Sequence, residues 1–138
     1  MIEDLCFSVP CQHALARSVR AAIREGLERA PFANGLVDDV LLTASELFAN
    51  AVSSTSEDSE IEVSLRTLGT ALILEVANSG VGFDLSLIPS PSPDRLTGRG
   101  LAIVRTFGDL AVDQHDGRTV VRVTVPYAFA PTLFRPAN

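Results

Sequence analysis

Lysine is absent from this chain of 138 residues, and all eleven basic side chains are arginine. Without lysine there is no P-loop lysine to reach the phosphates of a nucleotide and no amine to form a Schiff base, so two broad enzyme classes are excluded. Codon usage in a GC-rich genome accounts for the missing residue without a functional cause. Cysteine is scarce too. Cys6 and Cys11 lie five apart, with His13 close by and His115 far off. No complete set of zinc ligands at the usual spacing exists, and the thiols read as free.

Positive charge is in deficit, with a net charge of −6. Nucleic acids and anionic membranes demand clustered cations, so neither is an expected partner, and any phosphate ligand would have to be held by local geometry. Long apolar runs are missing, which leaves no transmembrane segment. The opening "MIEDLCFSVP" is acidic rather than basic and is not expected to be a signal peptide. A cytoplasmic location follows as the expectation. What is present suits a packed domain: 46% hydrophobic and 20% charged residues, in a chain long enough to bury roughly 70% of the surface its unfolded form exposes. There are no internal repeats. The reading is one domain over 1–126 and a tail over 127–138 whose Phe129, Leu133 and Phe134 could dock on the domain or on a second subunit.

Leu5 to Val9 alternates up to Pro10 and predicts a first strand. In "CQHALARSVRAAIREGLERA" the residues Leu15, Val19, Ala22, Ile23 and Leu27 recur at helical spacing and form one apolar face. "PFANG" interrupts the pattern. A second helix follows with Val37, Val40, Leu41, Ala44, Leu47, Phe48 and Ala51 inward. On its other side Asp39, Thr43, Glu46, Asn50 and Ser53 form one polar line, which a solvated face would explain equally simply. Two strands are predicted at Ile61 to Arg66 and Ala71 to Ala77, with Ile61, Val63 and Leu65 inward on a sheet wet on one side. The Gly-, Pro- and Ser-rich stretch "SGVGFDLSLIPSPSPDRLTGRG" reads as a long loop. "LAIVRTFG" predicts a short helix, and "LAVDQHDGRTVVRVTVP" a hairpin turning near Asp116 and Gly117.

Three short motifs stand in order along these elements. Glu46 and Asn50 are one turn apart on a helix; "NSGVG" at Asn78 to Gly82 follows a strand; "GRGL" at Gly98 to Leu101 opens a helix. Each alone is weak, since glycine pairs are mostly turn chemistry. In this order the chain resembles the GHKL (Bergerat-fold) ATPase superfamily, and within it the small anti-sigma-factor serine/threonine kinases. The resemblance runs from about Phe7 to Pro126. It implies an α+β fold, a two-layer α/β sandwich whose mixed, mostly antiparallel sheet carries helices on one face. It also implies ATP and Mg²⁺ as cofactors, and as partners a sigma factor, an anti-anti-sigma (STAS-type) protein, or both. A homodimer is a further expectation.

By that resemblance Asn50 is the metal ligand and Glu46 the general base. The residue types suit the roles: a carboxamide oxygen is a hard ligand for Mg²⁺, which takes its remaining ligands from water and phosphates, and a carboxylate can accept the proton of an attacking hydroxyl. Gly80 and Gly82 either form a turn or let the backbone approach a base and ribose closely. Gly98, Arg99, Gly100 and Leu101 either start an ordinary helix or hold phosphates on its free N–H groups. The segment from Phe83 to Leu96 would be a lid, and Arg95 and Arg99 would reach the γ-phosphate or sit in surface ion pairs. Asn78 departs from the family, which carries Asp there to accept from the adenine amino group. A carboxamide keeps one acceptor, loses the charge, and could pair with the amino group and N1 together. Two functions remain: a kinase acting on the anti-anti-sigma partner, and a non-catalytic or weakly catalytic nucleotide-binding regulatory module. A sensor histidine kinase is disfavoured, because no helix pair carries a phosphoacceptor histidine.

Overall fold

The structure is a computed structural model describing residues 4–55, 58–79, 108–115 and 117–127. Strand β1 covers Leu5–Pro10, helix α1 Ala16–Leu27, α2 Asn34–Ser53, β2 Glu60–Leu68, β3 Ala71–Ser79, β4 Asp109–His115 and β5 Arg118–Pro126. The strands form one sheet in the order β1-β2-β3-β5-β4. All four pairings are antiparallel, so the sheet lacks the parallel pair that a mixed sheet would contain among the described residues. Gly69 and Gly117, at φ +60° and +72°, turn the β2–β3 and β4–β5 hairpins in a conformation that other residues adopt only under strain.

Period-two alternation sets the two faces of the sheet. Ile61, Val63 and Leu65 from β2, Leu72, Leu74 and Val76 from β3, and Val121, Val123 and Val125 from β5 all point into the core. Against them α1 brings Val19, Ile23 and Leu27, and α2 brings Val40, Ala44, Leu47, Phe48 and Ala51. The two helices pack on each other and over β1, β2 and β3. This is the two-layer α/β sandwich expected from the sequence. Phe48 has no exposed surface; truncating so large a buried side chain costs about 3–5 kcal/mol. The opposite face is polar and partly open, with Ile73 and Ala77 buried on it. There Glu75 receives Arg122 Nε at 2.7 Å and Arg66 Nη1 at 3.0 Å, while Arg122 also reaches Asp113 at 3.4 Å.

Several boundaries differ from the sequence reading. The first helix begins only after a 3₁₀ turn at His13–Leu15, so Leu15 and Ala22 are half-buried rather than core. Cys11 precedes it, buried, with Sγ against the Val52 and Thr55 carbonyls; Cys6 lies exposed on β1, and neither cysteine is in a disulfide. Strand β3 runs two residues past Ala77, carrying Asn78 and Ser79 into the ladder opposite Thr119 and Arg118. Tyr127, assigned to the tail, continues from β5: its N–H donates to Thr70 at 2.9 Å and its ring meets Phe32 edge-on at 5.1 Å. Phe129, Leu133 and Phe134 lie outside the described residues, as do the predicted short helix up to Phe107 and the turn residue Asp116. No helix among the described residues is long and apolar enough to cross a membrane.

Candidate functional site

Helix α2 has two unlike flanks. One faces α1, where Arg20 Nη1 donates to Ser45 Oγ at 3.4 Å. The other bears Asp39, Thr43, Glu46 and Asn50, which helical spacing stacks in one line. It is no uniformly solvated stripe. Thr43 is 1% exposed and donates its hydroxyl to the Asp39 carbonyl at 2.7 Å. Asn50 makes the matching bond one turn on, its Nδ2 donating to the Glu46 carbonyl at 2.8 Å. Such i→i−4 back-bonds pin a short polar side chain against its own helix. Among the described residues, nothing donates to the Asn50 carboxamide oxygen.

Glu46, between them, is half-buried and has no cationic partner among the described residues. Burial raises its carboxyl pKa above the ordinary 4.5, because the charged form loses hydration without gaining a compensating partner. A carboxylate in that condition is a stronger proton acceptor than a solvated one.

Asn78 closes the site from the sheet side. Alternation along β3 sends it to the same face as Leu72, Leu74 and Val76, yet it is polar and only 4% exposed. Its side-chain amine donates to Thr55 Oγ1, just past the end of α2. That bond ties the end of β3 to the end of the helix bearing Glu46 and Asn50. It also uses one N–H of the amine, so the oxygen and the second N–H of the carboxamide are what remain for other partners. Thr119, 1% exposed, sits opposite Asn78 in the ladder. Beside Thr55 a cleft of about 650 Å³ opens between the start of α1 and the end of α2, with Cys11, His13, Ser53 and Asp58 on its walls.

The structure therefore sets Glu46 and Asn50 one turn apart on α2 and bonds Asn78 to Thr55, just past the end of that helix. Gly80, Gly82, Gly98, Arg99, Gly100 and Leu101 lie outside the described residues, as do Arg95 and the segment Phe83 to Leu96. Two residues escaped the sequence reading. Thr119 was legible, being a polar residue at an inward position before Val121, Val123 and Val125. Thr55 carries no periodic signal, since only the turn after α2 brings it to Asn78.

The five-stranded antiparallel sheet under two packed helices is the architecture of an ATPase-like class of domain. The chain belongs to the histidine kinase-like ATPase domain family, whose model matches residues 9–125. It is similar in structure to the RsbU and RsbW domains of a Mycobacterium tuberculosis protein, at 19% identity and TM-score 0.69, covering 97% of this chain and 35% of that one. It thus spans about a third of that protein's length. The SiaB–SiaC complex of Pseudomonas aeruginosa is similar at 17% identity and TM-score 0.58, with 88% of each chain covered. The nucleotide-free catalytic domain of the histidine kinase ThkA follows at 20% identity and TM-score 0.55, covering 91% of this chain and 96% of that one. At these identities the likeness is one of fold. No curated protein sequence matches the chain.

Proposed function

We propose that this protein binds a magnesium–purine nucleoside triphosphate beside α2 and transfers its γ-phosphoryl group to a serine or threonine of an anti-anti-sigma protein, while its unphosphorylated partner set controls a sigma factor in the cytoplasm. The observation that carries this reading is the flank of α2. There, Glu46, its pKa raised by burial, and Asn50, whose amine bonds back to the Glu46 carbonyl and whose oxygen has no donor among the described residues, stand one turn apart.

The donor set suits the metal. Mg²⁺ takes hard oxygen ligands and few from protein, and Asn50 would supply its carboxamide oxygen. When bound, the ion neutralises charge on the phosphates of the transferring group. Glu46 would accept the proton of the incoming hydroxyl, while Asn78 would meet the edge of the base with its oxygen. The anti-sigma direction draws on fold neighbours whose descriptions name an RsbW domain and a SiaB–SiaC complex.

The test is incubation of the full chain with Mg²⁺, γ-labelled ATP and a purified STAS-type protein from the same genome. Label on a serine or threonine of that protein supports the kinase. Nucleotide binding without transfer to any STAS-type protein of that genome would favour the alternative, a nucleotide-gated binding module. Absence of nucleotide binding at millimolar concentration would overturn both.

A further inference from the structure

The two arms of the Asn78 carboxamide meet different surroundings. The amine donates to Thr55 Oγ1, and the oxygen meets no donor among the described residues. That oxygen is not sealed in: no side-chain polar atom of the described residues is both shut off from solvent and unpaired. Thr55 is half-buried and forms part of the wall of the neighbouring cleft, so its hydroxyl is free to rotate toward solvent on its other side.

We infer that Thr55 is a specificity-determining residue that leaves the site able to accept either purine, by serving as a two-way hydrogen-bond partner for Asn78; this rests on the reading of Asn78 as the base contact. A carboxamide has one donor arm and one acceptor arm, and a hydroxyl either donates or accepts. With the amine on Thr55, the oxygen faces the base and accepts from the 6-amino group of adenine. With the carboxamide turned over, its oxygen accepts the Thr55 hydroxyl proton and its amine donates to the 6-oxo group of guanine. Both arms stay paired each time. A polar site discriminates strongly only when the wrong ligand strands a buried group, and at the 6-position neither purine does so. Asp or Glu at position 55 could only accept, and would keep the amine to itself and the oxygen on the base.

The experiment measures the affinities of the full chain for ATP and GTP, each with Mg²⁺, by calorimetry. Wild type should bind the two within about tenfold of each other, as a site that strands no group allows. Thr55→Asp should raise the ATP-to-GTP ratio by about tenfold or more, the size of one lost hydrogen bond; its added charge acts on both triphosphates alike and cancels in the ratio. Asn78→Asp, also acceptor-only, should shift the ratio the same way. Thr55→Ser should keep the wild-type ratio. Thr55→Val, nearly isosteric, should weaken both nucleotides with the ratio unchanged.

A ratio unmoved in a folded Thr55→Asp overturns the inference. So does a wild-type preference for ATP beyond about a hundredfold, which needs a stranded group, or wild-type affinities in Thr55→Val. If wild type binds neither nucleotide, the base-site reading itself falls and the role of Thr55 with it.

Discussion

The side-chain amine of Asn50 donates to the main-chain oxygen of Glu46 at 2.8 Å. One bond thus fixes which end of the carboxamide is held against the helix, and it joins the proposed metal ligand to the backbone of the proposed base. Neither side chain is part of the apolar core, so their chemistry can be removed without opening a cavity.

Asn50→Ala should separate metal use from folding. Alanine is the better helix former, so the lost back-bond should be offset and the melting temperature should move little. ATP affinity in the presence of Mg²⁺ should fall about tenfold or more, the size of one lost hard ligand, while affinity in chelator should hold. Paired calorimetric titrations with and without the metal check this; equal losses in both would remove Asn50 from the metal.

Glu46→Gln should bind nucleotide almost normally and lose about 100- to 10,000-fold in phosphoryl transfer, the usual cost of a missing general base. Stability should move the other way. Burial raises the Glu46 pKa above 4.5, so the folded state disfavours the charged form, and the native carboxyl lowers stability as pH rises through that raised value. The glutamine variant should therefore be more stable than wild type at pH 7, a gain that vanishes as pH falls below the ordinary carboxyl range, where both forms are neutral. Transfer by wild type should decline as pH falls through the same raised pKa. Melting curves and rates across pH test both halves.

On the open face of the sheet, Glu75 should carry an acid-sensitive share of stability. Burial alone would raise its pKa, but the hydrogen bond from Arg122 and the charges of Arg66 and Arg122 outweigh that, and the net shift is downward. A depressed carboxyl pKa adds stability above the unfolded value, near 4.5, that is lost as pH falls through the folded one. Both arginines are partly exposed, which screens the pairs, so about 1–2 kcal/mol is expected. Glu75→Gln should lower stability by that amount at pH 7 and melt like wild type at pH 2.5. An equal loss at both pH values would assign the effect to packing.

Gly108→Ala should destabilise by about 1–3 kcal/mol through overpacking. A Cβ there would lie 2.8 Å from Val123 Cγ1 and 3.2 Å from the Thr124 carbonyl oxygen. Val123 is fully buried and stiff at χ1, so it cannot swing clear. Denaturant unfolding of the variant measures the loss. Wild-type stability would mean that β5 yields at this point.

The apolar positions of α2, β2 and β5 were legible because helix and strand place side chains at fixed periods, and burial follows those periods residue by residue. The ends of elements were not. Asn78 reads as the start of a loop, because "NSG" carries turn residues, yet ladder bonds opposite Thr119 extend β3 through it. The polar line on α2 was legible as a line but not as a site, since period alone cannot tell a solvated flank from one whose Thr43 is buried.

By itself, the sequence determined the order of elements, the inward faces, the pairing of Glu46 with Asn50 on one helix flank and the family resemblance that the match over 9–125 supports. These depend on local spacing. Tertiary structure alone decided that burial raises the pKa of Glu46 and that Thr55 takes the amine of Asn78. Burial and hydrogen-bond direction depend on what the rest of the chain brings alongside a residue, and 23 positions of separation between Thr55 and Asn78 leave no trace in any local pattern.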